Sequence, residues 1–267
     1  MGEKEIEIAG KKIYYRVRGN GQPVILIHGF GEDGEVWKNQ VQLLEQQFTV
    51  IIPDLPGSGH SAMVDDMSME GLSEVIKKIL DGEQITSCMM IGHSMGGYIT
   101  LSFVEKYPAL VKAFGLFHST AYPDSEDKIN SRRKGIEFVL DRGAFEFLKS
   151  TTPNLFSSKT KEERPEMIDT QIASLSNFSS AALVSYYEAM IQRADKTMVL
   201  RNSTIPILFI AGKTDNAVPL EDILKQCHLP SLSYIHILDI SGHMGMLEEP
   251  GKSNFILERF LRYAIAI

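Results

Sequence analysis

Short runs of mainly apolar residues recur along the chain at 24–27, 49–52, 88–91, 111–117, 205–210 and 234–240. Runs this short, with little alternation, predict strands buried on both faces. Between most of them lie stretches with helical spacing, at 36–47, 69–80 and 98–107, so the first half reads as repeated strand-helix units with parallel pairing. The start is different. Lys12-Ile13-Tyr14-Tyr15-Arg16-Val17 alternates polar and apolar positions, the period of a half-solvated antiparallel strand. Residues 253–263 carry apolar positions at helical spacing and predict a final helix.

The strand-helix rhythm stops between about residues 119 and 196. That segment is rich in charge and in helix formers, at 126–141, 161–175 and 181–193, and has no strand pattern. Helices placed between two sheet strands read as a cap over the strand ends. The predicted class is therefore α/β: a mostly parallel, twisted central β-sheet flanked by helices, with a core of 1–118 and 197–267 and a helical cap insertion of 119–196.

With 267 residues, one large α/β domain with an insertion can bury a sizeable core. Hydrophobic residues make up 43% and charged residues 23%, values of a globular chain. A net charge of -7 supplies no basic field for nucleic acid or anionic lipid, so neither is an expected partner. Cys88 and Cys227 are too few and too far apart for a disulfide framework or a metal motif. With no basic-then-apolar leader pattern and no apolar stretch near 20 residues, a cytoplasmic location is expected.

The candidate chemistry lies at the ends of the apolar runs. Gly92-His93-Ser94-Met95-Gly96 follows the 88–91 run and precedes a helical stretch, and a serine wedged between glycines at such a turn takes strained angles that lift its hydroxyl clear of the sheet. A serine needs a base, and the base needs an orienting carboxylate. Asp215 follows the 205–210 run and His243 the 234–240 run, so both would emerge where open parallel sheets place their chemistry. Acyl transfer further needs donors aimed at an oxyanion. The amides of Met95, after the serine, and Phe30, in the loop after Ile25-Leu26-Ile27-His28-Gly29, are the candidates.

Taken together, His28-Gly29, Asp54-Leu55-Pro56-Gly57-Ser58-Gly59, the serine elbow, the 212–219 loop and Gly242-His243 occur in the order of the α/β-hydrolase family, which the chain resembles over nearly its whole length. The resemblance implies a serine hydrolase of esterase type whose cap shapes the pocket, with Ser94 as nucleophile, His243 as base and Asp215 as acid. Some family members carry the acid after the earlier strand, where Asp124 is the nearest candidate. Dehalogenases and epoxide hydrolases of the family have aspartate where Ser94 stands. Its carbon-carbon bond hydrolases have Asn and Trp where this chain has His93 and Met244. Its menaquinone-pathway synthase has Arg where Tyr98 stands.

A carboxylic ester of small to medium, partly apolar character is the expected small-molecule substrate. Thioester, amide or carbon-carbon bond hydrolysis is the alternative within the fold, and a ligand receptor with vestigial activity the alternative from another class. No metal or organic cofactor is expected. His118, Phe178, Tyr187 and Met244 are candidate substrate-binding residues, with His28, His60 and His93 read as structural. Glu248 and Glu249 suit charge placement at a helix N-terminus, and Arg132-Arg133-Lys134 a solvated helix face, with contact to an anionic substrate as the alternative.

Overall fold

A computed structural model describes residues 2–175 and 177–266. Its centre is one eight-stranded sheet formed by β1 (Gly2–Ile8), β2 (Lys11–Arg18), β3 (Gln22–Ile27), β4 (Phe48–Pro53), β5 (Cys88–His93), β6 (Val111–Phe117), β7 (Ile207–Gly212) and β8 (Ser233–Leu238). The spatial order is β1-β2-β4-β3-β5-β6-β7-β8. β1 and β2 form an antiparallel hairpin, and β2 joins β4 antiparallel. All later pairings are parallel. The hairpin turn is Ala9-Gly10, both at positive φ (49° and 76°), the backbone that matches the twist of two strands joined by two residues.

Successive strand residues point to opposite faces, and both faces are covered. Ile25, Ile27 and Met90 pack with Leu72, Ile76 and Ile79 of α2 (Met69–Gly82), and with Ile99 and Phe103 of α3 (Met95–Lys106). Val24, Leu26, Met89 and Ile91 face the other way, toward Trp37 and Leu44 of the segment that forms α1 (Lys38–Leu44), and toward Leu257, Phe260 and Leu261 of the C-terminal helix, Pro250–Ala266. Double burial explains the nearly continuous apolar runs. β8 departs from that expectation: it is half-buried along most of its length, with Ile235 42% exposed, because it is the sheet edge.

Between β6 and β7 the chain forms α4 (Glu126–Arg142), α5 (Ala144–Thr151), α6 (Ser158–Glu163), α7 (Pro165–Ser174), α8 (Ser180–Gln192) and α9 (Thr197–Arg201). Ser125 caps α4 by accepting from the Lys128 amide, and Gly143 ends it at φ +87°. The expected single helix at 161–175 is two, because Pro165 has no amide to continue the ladder through Arg164. Of these, α4, α5, α8 and the residue that ends α7 share a small core of Val139, Phe147, Leu148, Leu175 and Leu183. They are fastened to the loops at the sheet's C-terminal edge, where the Tyr186 hydroxyl donates to the Pro56 carbonyl at 2.6 Å. After β7 and β8 come α10 (Leu220–Leu224), α11 (Gly245–Glu248) and α12, the C-terminal helix already given. No described helix is long and apolar enough to cross a membrane.

Candidate active site

Ser94 is the hinge between β5 and α3, at φ 51° and ψ -116°. Such left-handed backbone is rare outside glycine and is held here by its surroundings. A Cβ on Gly92 would lie 2.3 Å from the Gly96 carbonyl oxygen, and one on Gly96 would lie 2.4 Å from that of Ile27, so only glycine allows this approach of turn to sheet. The Ser94 amide donates to the Phe117 carbonyl at 2.9 Å, and the Ser119 hydroxyl donates to the Ser94 carbonyl at 2.7 Å. Backbone bonding thus fixes the serine, whose side chain stays half-exposed at the strand ends.

The loops after β7 and β8 bring Asp215 and His243 together, with Nδ1 of His243 2.8 Å from Oδ2 of Asp215. Asp215 is fully engaged. Its Oδ1 accepts from the amides of Ala217 (2.8 Å) and Val218 (2.9 Å), and Oδ2 also faces Nδ1 of His118 at 3.1 Å. Burial by itself would raise the pKa of this carboxyl, but the imidazoles of His243 and His118 outweigh it and hold the group ionised far below the usual range.

His118, expected as a substrate-binding candidate, has no exposed surface. It is wholly buried at the end of β6, its left-handed backbone (φ 51°) aiming the ring at the β7 loop behind Asp215. Burial lowers its pKa to about 4, which leaves the ring neutral.

Among the described residues no hydrogen bond joins the Ser94 hydroxyl to His243. The two loops meet through His93, whose Nε2 lies 2.9 Å from the His243 carbonyl and whose Nδ1 lies 2.9 Å from Oε2 of Glu32. Glu32 also accepts from the Gly29 amide at 2.7 Å, so one buried carboxylate ties the loop after β3 to the elbow. In that loop Phe30 lies between Gly29 and Gly31 (φ +66°). Among the described residues no protein acceptor takes the amide of Phe30 or of Met95. His28 is structural, its Nε2 accepting from the Leu55 amide at 2.9 Å.

Several expected roles change. Met244 is 1% exposed and belongs to the core cluster with Trp37 and Phe156, which removes it from the substrate-binding candidates. Glu248 and Glu249 shape the His243 loop: Glu248 accepts from the amides of Gly242 (2.7 Å) and Ser157 (2.8 Å) and from the Thr160 hydroxyl (2.6 Å), while Glu249 accepts from the Ser241 hydroxyl (2.6 Å). The chain doubles back through α11, so side chains beyond the histidine reach its loop. Asp124 is taken by Arg132 (Nε, 2.5 Å) and Arg193 (Nη1, 2.9 Å) and lies away from His243's hydrogen bonds. Arg132 is no solvated face: its guanidinium sits 5.5 Å from the ring of Tyr187, which stacks on Phe30 at 4.3 Å. Phe178 is half-buried against the same cluster.

The group of metal-type ligand atoms among the described residues is His118, Asp215 and His243, within 4.8 Å of one another. Both Nδ1 atoms face one carboxylate oxygen, Oδ2 of Asp215.

Sheet order, elbow and the placement of the Asp-His pair at the strand ends are those of the α/β-hydrolase fold. Residues 22–134 match the family model for the alpha/beta hydrolase fold. A thermophilic esterase from Thermogutta terrifontis, solved with malate bound, superposes with a TM-score of 0.92 at 26% identity, covering 99% of each chain. The enol-lactonase of Burkholderia xenovorans superposes at 0.89 with 20% identity, over 97% of this chain and all of that one. In sequence, 3-oxoadipate enol-lactonase 1 of Acinetobacter baylyi is 26% identical over 256 residues, 95% of this chain and 94% of its own. The chain has the α/β-hydrolase fold.

Proposed function

We propose that the protein is a serine hydrolase that cleaves a carboxylic ester through an acyl-enzyme. The observation that carries the reading is the left-handed Ser94, bound through its neighbour His93 to the loop of a histidine that is itself hydrogen-bonded to a buried carboxylate. Ser94 Oγ attacks the ester carbonyl while His243 Nε2 takes its proton. The hydrogen bond between them closes in the substrate complex, as such bonds often do. The amides of Phe30 and Met95 receive the oxyanion. The C–O bond then breaks as His243 returns the proton to the leaving alkoxide. Water, deprotonated by His243, next attacks the acyl-enzyme, and Ser94 leaves with the proton. Asp215 keeps His243 in the tautomer with Nδ1–H and stabilises its protonated form.

Relatives named esterase and enol-lactonase support an ester as the bond cleaved. The helices between β6 and β7 act as a cap, and the cluster of Phe30, Phe147, Phe178 and Tyr187 favours a partly apolar substrate. A second reading, an ester that also carries a carboxylate, is favoured by Arg132. Two guanidiniums share the single carboxylate of Asp124, leaving excess positive charge beside Tyr187 and Phe30.

The test is labelling with a fluorophosphonate followed by peptide mapping, with Ser94→Ala as control. Label on Ser94 together with ester turnover is the expected result. Label on another serine, or none on folded protein, would remove Ser94 from the reading.

A further inference from the structure

We propose that His118 is a positioning residue for this reaction: it donates its Nδ1–H to Oδ2 of Asp215, the oxygen that also receives the Nδ1–H of His243. In doing so it holds the carboxylate and draws off part of the charge that would stabilise protonated His243. The inference rests on the serine-hydrolase reading above.

The geometry selects the tautomer. Nε2 of His118 lies 3.2 Å from the Gly245 amide, which can only donate, and an acceptor Nε2 puts the proton of the neutral ring on Nδ1. There it faces Oδ2 of Asp215 at 3.1 Å. The Gly212 amide also points at Nδ1, at 3.1 Å, so each neutral tautomer leaves one amide facing an N–H, and the carboxylate acceptor, within reach of Nδ1 alone, decides between them. If Nδ1 accepted from Gly212, the Nε2–H would face the Gly245 N–H, two donors with no acceptor between them, and Asp215 would lose a donor. The ring is packed in place: a Cβ on Gly245 would come within 2.5 Å of Nε2, and one on Gly212 within 2.9 Å of Cε1. Two glycines therefore make room for this one imidazole.

Asp215 thus carries four donors: two amides on Oδ1 and two imidazoles on Oδ2. Negative charge on Oδ2 is what stabilises the protonated base, and each further donor reduces what His243 receives. His118 therefore competes with His243 for the charge on Oδ2. The titratable and charged groups set around His243 are Asp215 after β7, His118 after β6, His93 after β5 with its partner Glu32 after β3, and Glu248 on α11. Among the described residues, His118 alone shares the acceptor of His243.

Imidazole proton–nitrogen NMR of the resting protein reads the tautomer directly. A protonated Nδ1 on His118 is expected, and a protonated Nε2 overturns the proposal whether or not esters are turned over. The second measurement is the pH profile of kcat/KM for p-nitrophenyl butyrate in wild type, His118→Leu and His118→Asn. Loss of the donor in His118→Leu should move the acid limb up by about one unit. His118→Asn, whose amide N–H can stand in for Nδ1–H and which tolerates left-handed backbone, should keep the limb at its wild-type position. An unmoved limb in folded His118→Leu reduces His118 to a packing residue and ends the proposal. The tautomer measurement needs no variant, so it can still refute the assignment if His118→Leu fails to fold. A wild type without turnover sinks the hydrolase reading, and with it this inference, through a different observation.

Discussion

Nε2 of His93 lies 2.9 Å from the carbonyl oxygen of His243, so the residue just before the elbow serine supports the loop of the base. Its Nδ1 is held by Glu32, and with both ring nitrogens facing acceptors the imidazole is set up as a double donor. Burial pushes the pKa of His93 down, but Glu32 outweighs it and the net value is raised. Glu32, penalised by burial in turn, is held below its ordinary value by His93 and the Gly29 amide.

A stability prediction follows with opposite signs for the two partners. Glu32 contributes fully above its unfolded value of 4.5 and loses that contribution as pH falls through its lowered native value. His93 contributes fully below its unfolded value of 6.5 and loses that contribution as pH rises through its raised native value. Glu32→Gln should therefore cost most between those two values, on the order of 3 kcal/mol for a broken buried pair. Thermal melts across the pH range measure this. A melting difference independent of pH would mean that the pair is not ionised in the native state.

Asp215→Asn should fold and lose turnover by about 10^4, because the amide favours the wrong His243 tautomer. Asp124→Asn should behave in the opposite way. It leaves two buried guanidiniums poorly matched, so the melting temperature should fall by several degrees while folded protein keeps most of its turnover. Steady-state kinetics beside calorimetry of both variants separates the roles. Exchanged phenotypes would move the acid to the segment after β6.

The serine elbow itself gives a third expectation. Gly96→Ala places a methyl 2.4 Å from the Ile27 carbonyl, and backbone cannot yield there as a flexible side chain could. The variant should lose stability, and its surviving folded fraction should lose turnover because the Met95 amide moves with the turn. Active-site titration of that fraction checks it, and full activity per folded molecule would remove the geometric argument for Met95.

Legibility in the sequence followed the range of the interactions. β6 lies where the apolar run 111–117 places it, because burial on both faces leaves its pattern locally complete. β7 starts two residues later than its run, since Pro206 offers no amide to the ladder. α3 starts at Met95, before the expected helical stretch at 98–107, because Gly96-Gly97 has low helix propensity and only the close approach to Ile27 and His28 explains both glycines. The candidates Ser94, Asp215 and His243 stand out because each follows a strand in a short motif. The pairings of His118 and Glu32 do not, because Asp215 and His93 lie 97 and 61 residues away and nothing nearby marks them as paired.

Substrate choice gives the last expectation. Tyr187 of α8 lies on Phe30, whose own amide is a proposed oxyanion donor, so an acyl chain above Ser94 would meet these rings. Burying one methylene is worth about 0.8 kcal/mol, roughly a fourfold rise in kcat/KM per carbon while space lasts. p-Nitrophenyl esters from acetate upward should therefore rise through the short and medium chains and then fall. Tyr187→Ala should flatten the rise by removing one wall. Arg132 enters at the same place, so the p-nitrophenyl hemiester of a short dicarboxylic acid, compared with a neutral ester of equal length, reports whether the excess charge beside Tyr187 recognises a carboxylate. A hemiester preference that Arg132→Gln weakens would favour the carboxylate-bearing substrate. Equal rates would leave the guanidinium to Asp124 alone. Rates flat with chain length, and flat again in Tyr187→Ala, would mean that the rings pack without touching substrate. The natural ester would then have to be small or polar, chosen by the loops of the sheet rather than by the helices above them.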